Sequence, residues 1–376
     1  MRVALIHNLP PGGAHRRMAE QTRLLDAEVV EICLGTATPI TSDARVIDHR
    51  PLAPAVARPL RPPLRHLDLL ALRMAWRRAA MEADRTRPDV VFANSCQLLK
   101  APLGLLDLRA PSLLFCDEPR RVDYEPEDTS NRNPRTRVLY RGLHAAERRL
   151  DRAAVAHATR LATNSDYAVG EIRKAYGRAA AVVRAGVAPT VTTPPGTPRH
   201  LLSVGSLSPD KGHDLAIRAA AGARRRWPLM VVAPRPHHAE EARLTGLAQD
   251  LGVALEIRVA IGDAELAQAY AEAQATIYLA ALEPLGLVSL EAQACGSPVI
   301  VAAEGGLPET VVEGEGGWAV PRGPEAAAAC IDRLDDPRLR AAMSAAARHH
   351  GGAASWRRSA EALRAVLEDC AGGARA

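Results

Sequence analysis

Two glutamates with a helical segment between them are the residues best suited to chemistry in this chain. Glu283 and Glu291 stand eight positions apart around a turn that contains glycine. Apolar residues from Leu287 to Cys295 recur at helical spacing, which predicts Glu291 on a helix and Glu283 just before it. The N–H groups at a helix N-terminus attract anions, and a carboxylate accepts hydrogen bonds from vicinal hydroxyls such as those of ribose. The pair therefore suits a phosphorylated, hydroxyl-rich ligand, and the alternative is a buried helix with two solvated glutamates.

The residues around this pair form a long ordered motif. Its pieces are Glu283-Pro284-Leu285-Gly286, Glu291-Ala292, Cys295-Gly296-Ser297-Pro298-Val299 and Glu304-Gly305-Gly306-Leu307-Pro308-Glu309. The motif resembles the nucleotide-sugar site of retaining GT-B glycosyltransferases, specifically glycosyltransferase family 4. The resemblance implies an α/β chain with two facing Rossmann-like domains, parallel sheets and an interdomain cleft. It also implies that Glu283 lies near the donor sugar, that Glu291 binds the ribose, and that backbone N–H groups at Leu285, Gly286 and Leu287 contact the sugar and phosphates.

Three further loops could contact the donor. Gly12-Gly13 and Gly305-Gly306 each precede a predicted helix, where backbone N–H groups can approach a phosphate or a sugar hydroxyl. Lys211, one of only three lysines, occupies the family's diphosphate-binding lysine position. The family usually has a second cation where this chain has Ser206. We expect an arginine to replace it, with Arg235, Arg258 and Arg16 as candidates, or an unusual donor, or weak activity.

Asp117 follows a predicted strand in the first half. In some members of the resembled family this position is a histidine that contacts the transferred sugar. The resemblance therefore implies a role for Asp117 beside Glu283 and Lys211 at the reacting centre. An aspartate could bind sugar hydroxyls or an amine on donor or acceptor, and a helix cap or surface ion pair is the alternative. The acidic residues near it favour an amine-bearing acceptor: Glu118, Asp123, Glu125, Glu127 and Asp128.

Short apolar runs alternate with helical stretches through both halves, which predicts two parallel sheets flanked by helices. We predict an acceptor-binding domain over residues 1–187, a Pro/Thr-rich linker over 188–198 and a nucleotide-sugar-binding domain over 199–354. The final helix, within 355–376, is expected to cross back to the first domain, as the resemblance implies. The predicted strands are Val3–His7, Val29–Cys33, Val90–Ala93, Ser112–Phe115, Leu161–Asn164, Ala181–Val183, Leu201–Val204, Met230–Val232, Leu255–Val259, Thr276–Leu279, Pro298–Val301 and Trp318–Val320.

Composition narrows the protein classes. Six scattered cysteines without a C-x-x-C pair argue against a disulfide framework or a zinc site, and they favour a cytoplasmic location. No signal peptide and no membrane-spanning run is evident. The basic residues are not interleaved with aromatics, which argues against nucleic-acid binding. Arginines around Leu67–Trp76 are compatible with a surface helix or with peripheral contact at the inner face of a membrane: Arg58, Arg61, Arg65, Arg73, Arg77 and Arg78.

These observations predict a metal-independent retaining glycosyltransferase without a cofactor. Its donor would be a nucleoside diphosphate sugar of the UDP or GDP type. Its acceptor would be a hydroxyl of a sugar, an aminocyclitol or a lipid-linked glycan in bacterial glycoconjugate or natural-product biosynthesis. A nucleotide-sugar epimerase or hydrolase on the same fold, and a non-catalytic partner subunit, stay open as alternatives.

Overall fold

The chain forms two compact units. The computed structural model describes residues 1–51, 61–96, 99–120, 134–187 and 193–373. Unit 1 comprises Met1–Asn164, Ala168–Arg184 and Ser359–Ala376, and unit 2 comprises Ser165–Tyr167 and Ala185–Arg358. Part of the predicted linker, residues 188–192, lies outside the described residues.

Unit 1 is built on a parallel sheet with the strand order β3-β2-β1-β4-β5-β6-β7. Its seven strands within the described residues are β1 (Arg2–His7), β2 (Glu28–Leu34), β3 (Arg45–Ile47), β4 (Val90–Asn94), β5 (Ser112–Phe115), β6 (Arg160–Thr163) and β7 (Ala181–Val182). Helices α1 (Gly13–Leu24), α2 (Arg61–Arg85), α3 (Pro134–His157) and α4 (Asp166–Tyr176) separate them. The sequence did not predict β3, a short edge strand that pairs with β2 alone.

Unit 2 repeats the alternation in a six-stranded parallel sheet with the order β10-β9-β8-β11-β12-β13. The described strands are β8 (His200–Val204), β9 (Leu229–Ala233), β10 (Leu255–Val259), β11 (Ala273–Tyr278), β12 (Val299–Ala302) and β13 (Gly317–Val320). The helices are α5 (His213–Gly222), α6 (His238–Asp250), α7 (Asp263–Ala271), α8 (Leu287–Ala294), α9 (Pro324–Arg333) and α10 (Pro337–Ala353). The last helix, α11 (Trp356–Gly373), begins in unit 2 and belongs to unit 1 from Ser359 onward. The predicted α/β class with parallel sheets is confirmed.

Helices cover both faces of the first sheet, as a parallel sheet requires. Along β1, Ala4 and Ile6 pack in one core with Trp76 of α2. Val3 and Leu5 pack in a second core with Leu363 and Leu367 of α11. The later part of α11 therefore belongs to the core of unit 1.

Each sheet has one point where the strand order reverses direction, between β1 and β4 in unit 1 and between β8 and β11 in unit 2. Open parallel sheets bind ligands at the carboxyl ends of the strands beside such a point. A ligand site is therefore expected at the loops that follow β8 and β11 in unit 2, or at those that follow β1 and β4 in unit 1.

Candidate functional site

The loops on either side of the reversal in unit 2 bring Lys211 and Glu283 together. Lys211 ends a short 3-10 helix after β8, and Glu283 follows β11. The Lys211 Nζ atom lies 2.6 Å from the Glu283 Oε2 atom, and the two side chains are 20% and 19% exposed. Gly212, at φ +72°, allows this approach, because a Cβ atom there would lie 2.3 Å from the Leu279 carbonyl oxygen. Two residues far apart in sequence thus form one partly exposed ion pair at the carboxyl edge of the sheet.

The Gly305-Gly306 loop packs against the Glu283-Pro284 backbone. The Gly306 N–H group donates to the Glu283 carbonyl oxygen at 2.7 Å. A Cβ atom at Gly305 would lie 2.5 Å from that oxygen, and one at Gly306 would lie 2.0 Å from the Pro284 carbonyl oxygen. The glycines are therefore required for contact between two loops. The Gly306 N–H group already has a protein acceptor, unlike the ligand-facing donor that the sequence suggested.

Helix α8 begins beside Glu283 without a side-chain cap. Gly286 precedes it at φ +101°, and a Cβ atom there would lie 2.4 Å from the Leu307 side chain. Leu285 is buried, and Leu287 is the first residue of the helix. The first N–H groups of a helix have no acceptor within the helix itself, so this N-terminus suits the oxygen atoms of an anion.

Two buried tyrosines that sequence reasoning missed orient the two glutamates. Tyr270 of α7 donates its hydroxyl hydrogen to Glu291 Oε2 at 3.3 Å, and Glu291 is itself 7% exposed. Tyr278, the last residue of β11, makes a side-chain hydrogen bond to Glu283. Burial, followed by the charge of the neighbouring glutamate, raises the pKa of each tyrosine well above its usual value. Both hydroxyls therefore stay protonated and act as donors. The available signal was that two of the six tyrosines lie in the short segment between residues 270 and 278, just upstream of Glu283.

The structure separates the candidates for the missing second cation. Ser206 is exposed, and its carbonyl oxygen accepts the Ser208 N–H group. Arg258 is held by Glu256 at 2.7 Å and Glu265 at 3.1 Å, so its charge is already balanced. Arg235 is exposed and follows β9, the neighbour of β8, at the same edge of the sheet. Arg16 belongs to unit 1.

Asp117 in unit 1 forms an ion pair, which was one of the alternatives that the sequence left open. Arg17 of α1 contacts both Asp117 carboxylate oxygens, at 3.0 and 3.2 Å. Arg17 is 1% exposed and also donates to Asn94 Oδ1 at 2.9 Å. The neighbouring Glu118 binds Lys100 at 3.0 Å, and residues 123–128 lie outside the described residues. The two described carboxylates of this acidic group are thus compensated, and the amine-bearing acceptor stays a prediction.

The Gly12-Gly13 turn opens α1 in the same unit. Gly12 precedes the helix with an extended backbone at φ 163°, and no atom lies within 4 Å of a Cβ placed there. Its carbonyl oxygen accepts the Arg16 N–H group at 2.9 Å, which starts the helix. The predicted phosphate contact of these glycines stays a prediction.

One group of three side chains in the described part of the chain could hold a metal ion: His7, Glu31 and Cys33. The group is buried in unit 1, and His7 Nε2 lies 2.8 Å from Glu31 Oε1. Burial raises the pKa of Glu31, but hydrogen bonds from His7, Ile40 and Thr41 outweigh burial and hold the pKa at about 2. Burial and the Glu31 charge raise the pKa of the Cys33 thiol to about 11. A protonated thiol beside a fully bonded carboxylate indicates a structural cluster.

The helices within the described residues include none with both the length and the apolar character needed to cross a bilayer. All six cysteines are buried thiols. The predicted cytoplasmic location stays a prediction.

Sequence comparison with known proteins matches the part of the chain that forms most of unit 2. Residues 189–350 match the model of the family "Glycosyl transferases group 1". A D-inositol 3-phosphate glycosyltransferase of Acidothermus cellulolyticus is 39% identical over 181 residues, which are 45% of this chain and 40% of the relative. That of Saccharomonospora viridis is 34% identical over 259 residues, 61% of this chain and 58% of the relative. The chain thus spans about half the length of these curated relatives.

Solved structures match almost the whole chain. Sucrose-phosphate synthase from Thermosynechococcus elongatus superposes with a TM-score of 0.75 at 18% identity, over 98% of both chains. Anabaena HepE in complex with UDP has a TM-score of 0.74 at 18% identity, over 98% of this chain and 99% of HepE. HepE in complex with UDP-glucose has a TM-score of 0.73. Residues 189–350 are therefore similar to the family "Glycosyl transferases group 1", and the chain shares its fold with these solved structures.

Proposed function

We propose that this protein transfers a sugar from a nucleoside diphosphate sugar to a hydroxyl group of an acceptor, with the donor held by unit 2. The observation that carries the proposal is the meeting of Lys211 and Glu283 on either side of the strand-order reversal, beside the uncapped N-terminus of α8. A cation, a helix N-terminus and a carboxylate at this edge suit a diphosphate joined to a sugar. Glu291, further along α8, is proposed to bind the ribose hydroxyls.

The proposed chemistry relies on positioning and charge stabilisation. The bond from the anomeric carbon to the diphosphate breaks, and the acceptor oxygen bonds to that carbon on the same face, which retains the configuration. The acceptor proton passes to the leaving phosphate oxygen. Lys211 and the N-terminus of α8 stabilise the developing diphosphate charge, and Arg235 is proposed as the second cation in place of the family's usual one at Ser206. Glu283 is proposed to orient the hydroxyls of the transferred sugar, and no metal ion is assigned a step.

The donor and acceptor classes rest on the relatives. Structures similar in fold were solved with UDP and UDP-glucose, which supports a UDP-sugar over a GDP-sugar. The sequence relatives are named for D-inositol 3-phosphate, which supports a cyclitol or another polyol as acceptor. The Arg17–Asp117 pair supports a hydroxyl acceptor over an amine because the carboxylate charge is compensated. An acceptor-binding role for the first domain stays a prediction from the sequence.

The test begins with calorimetry of UDP, GDP, dTDP and CMP against wild type and Glu291→Gln. We expect UDP to bind and the variant to lose at least about tenfold in affinity, since a charged hydrogen-bond partner of ribose is lost. UDP-glucose turnover is then followed with and without D-inositol 3-phosphate, in the presence and absence of EDTA. NMR of the product reports the anomeric configuration.

Each outcome separates the alternatives. Donor consumption that requires the acceptor, survives EDTA and retains configuration supports the proposal. Donor hydrolysis or epimerisation without acceptor indicates a hydrolase or an epimerase. An absence of nucleotide binding overturns the proposal and indicates a non-catalytic subunit.

A further inference from the structure

The outer face of α2 is apolar, although its inner face already fills the core of unit 1. Within the described residues six large apolar side chains are exposed, and four lie on this helix: Leu67, Leu70, Met74 and Met81, at 53%, 64%, 59% and 49%. Their spacing places them on one face of a helix. The opposite face packs into the core through Leu69, Leu72, Trp76 and Ala83. A helix that is apolar on both faces is normally covered on both.

Three arginines lie on the same outer face. Arg78 lies three whole turns after Leu67, Arg85 lies five turns after it, and Arg77 lies one turn after Met74. All three arginines are exposed. Two acidic residues of α2 lie at the margins of this face. Glu82 is 22% exposed and is bound by Arg45 and Arg85, and Asp84 accepts the N–H groups of Arg109 and Ala110. Arg77 also lies 4.0 Å from Asp107. We call the surface formed by these four apolar residues and three arginines the outer α2 face.

We propose that the outer α2 face docks unit 1 onto an anionic lipid bilayer, with the helix lying parallel to the membrane plane. Large apolar side chains enter the acyl boundary while interspersed arginines pair with anionic headgroups. From Leu67 to Arg85 the face is about 27 Å long. A second copy of the chain fits less well, because a two-fold contact through this face would oppose arginine to arginine. The proposal does not depend on the transferase activity.

The test measures co-sedimentation of the full chain with sucrose-loaded vesicles. One vesicle set is an equimolar mixture of phosphatidylglycerol and phosphatidylcholine, and the other is phosphatidylcholine alone. The apolar variant is Leu70→Ser with Met74→Ser, and the charge variant is Arg77→Gln with Arg78→Gln. The matched control is Val46→Ser. Val46 is 56% exposed in the same unit, and strand alternation places it on the opposite side from Ile47, which packs with the α2 core.

We expect wild type and Val46→Ser to bind the anionic vesicles and to bind phosphatidylcholine at least about tenfold more weakly. The apolar variant should lose at least about tenfold in partitioning, and the charge variant on the order of tenfold, with unchanged thermal unfolding. Equal partitioning into both vesicle sets, or equal loss in Val46→Ser, overturns the proposal. The proposal is also overturned if wild type does not bind vesicles and sedimentation shows a dimer that is dissociated in the variant Leu70→Ser with Met74→Ser.

Discussion

Replacement of Glu283 by glutamine should strengthen nucleotide binding while it weakens sugar transfer. The Lys211 ammonium group is engaged by Glu283 at 2.6 Å. A diphosphate must therefore compete with the Glu283 carboxylate for the same ammonium group. Unit charges about 4 Å apart attract by roughly 4 kcal/mol at an effective dielectric constant near 20, before the costs of desolvation and chain ordering. Measured net values for partly exposed pairs are about 1 kcal/mol or less.

Removal of the Glu283 charge should thus lower the Kd of UDP by up to about fivefold, which corresponds to about 1 kcal/mol. Turnover of the UDP-sugar should fall at least about tenfold, because the carboxylate contact proposed for the transferred sugar is lost. Calorimetry at one ionic strength measures the first quantity, and steady-state kinetics measures the second. Weaker binding of UDP to Glu283→Gln would show that the carboxylate positions Lys211 instead of competing for it.

The matched control for this experiment is Glu304→Gln. It removes the same charge from the same unit, but its carboxylate faces Arg322 at 3.5 Å. UDP affinity should change much less in this variant. An equal gain in both variants would attribute the effect to the overall charge of the unit and would refute the reasoning about Lys211.

Three further changes test separate parts of the structure. Tyr270→Phe should lower the preference of the site for UDP over 2′-deoxy-UDP by about three- to tenfold in calorimetry, because the hydroxyl that orients Glu291 is lost; an unchanged preference would assign Tyr270 to packing alone. Gly306→Ala should destabilise unit 2 by about 2 kcal/mol or more in thermal unfolding, because the new Cβ atom would lie 2.0 Å from a carbonyl oxygen. The control is Gly246→Ala in α6, where the new Cβ atom meets no atom within 4 Å. This control should be neutral or mildly stabilising. The lowered pKa of Glu31, about 2, contributes stability above the ordinary carboxyl pKa of about 4.5, and this stability is lost as the pH falls toward 2. Wild type should therefore lose about 2 kcal/mol more unfolding free energy than Glu31→Gln between pH 6 and pH 3, measured by urea denaturation.

The repeated strand–helix alternation could be read from the sequence because fully buried parallel strands are short apolar runs. All twelve predicted strands are present with ends shifted by a few residues. The exception, β3, contains two exposed residues of three and carries no apolar run. Its strand conformation depends on pairing with β2, a contact that local composition does not encode.

The candidate donor-binding residues could also be predicted from the sequence, because Glu283, Gly286 and Glu291 lie in one contiguous segment with a helical pattern. Local order along the chain is enough to place a carboxylate before a helix and another upon it. The contact of Lys211 with Glu283 joins loops that are distant in sequence, and only the order of strands β8 and β11 brings them together.

The sequence by itself determined the α/β class, the two parallel sheets and the residue types at the carboxyl edge of the second one, because these follow from local hydrophobic periodicity and turn chemistry. Only the tertiary structure decided which charges are compensated. It paired Asp117 with buried Arg17, placed Tyr270 against Glu291 and left the outer α2 face exposed. Charge compensation and exposure depend on which side chains meet across the fold. That information lies in the packing of distant segments, where a carboxylate or an apolar stripe can be either buried with a partner or left open to a ligand.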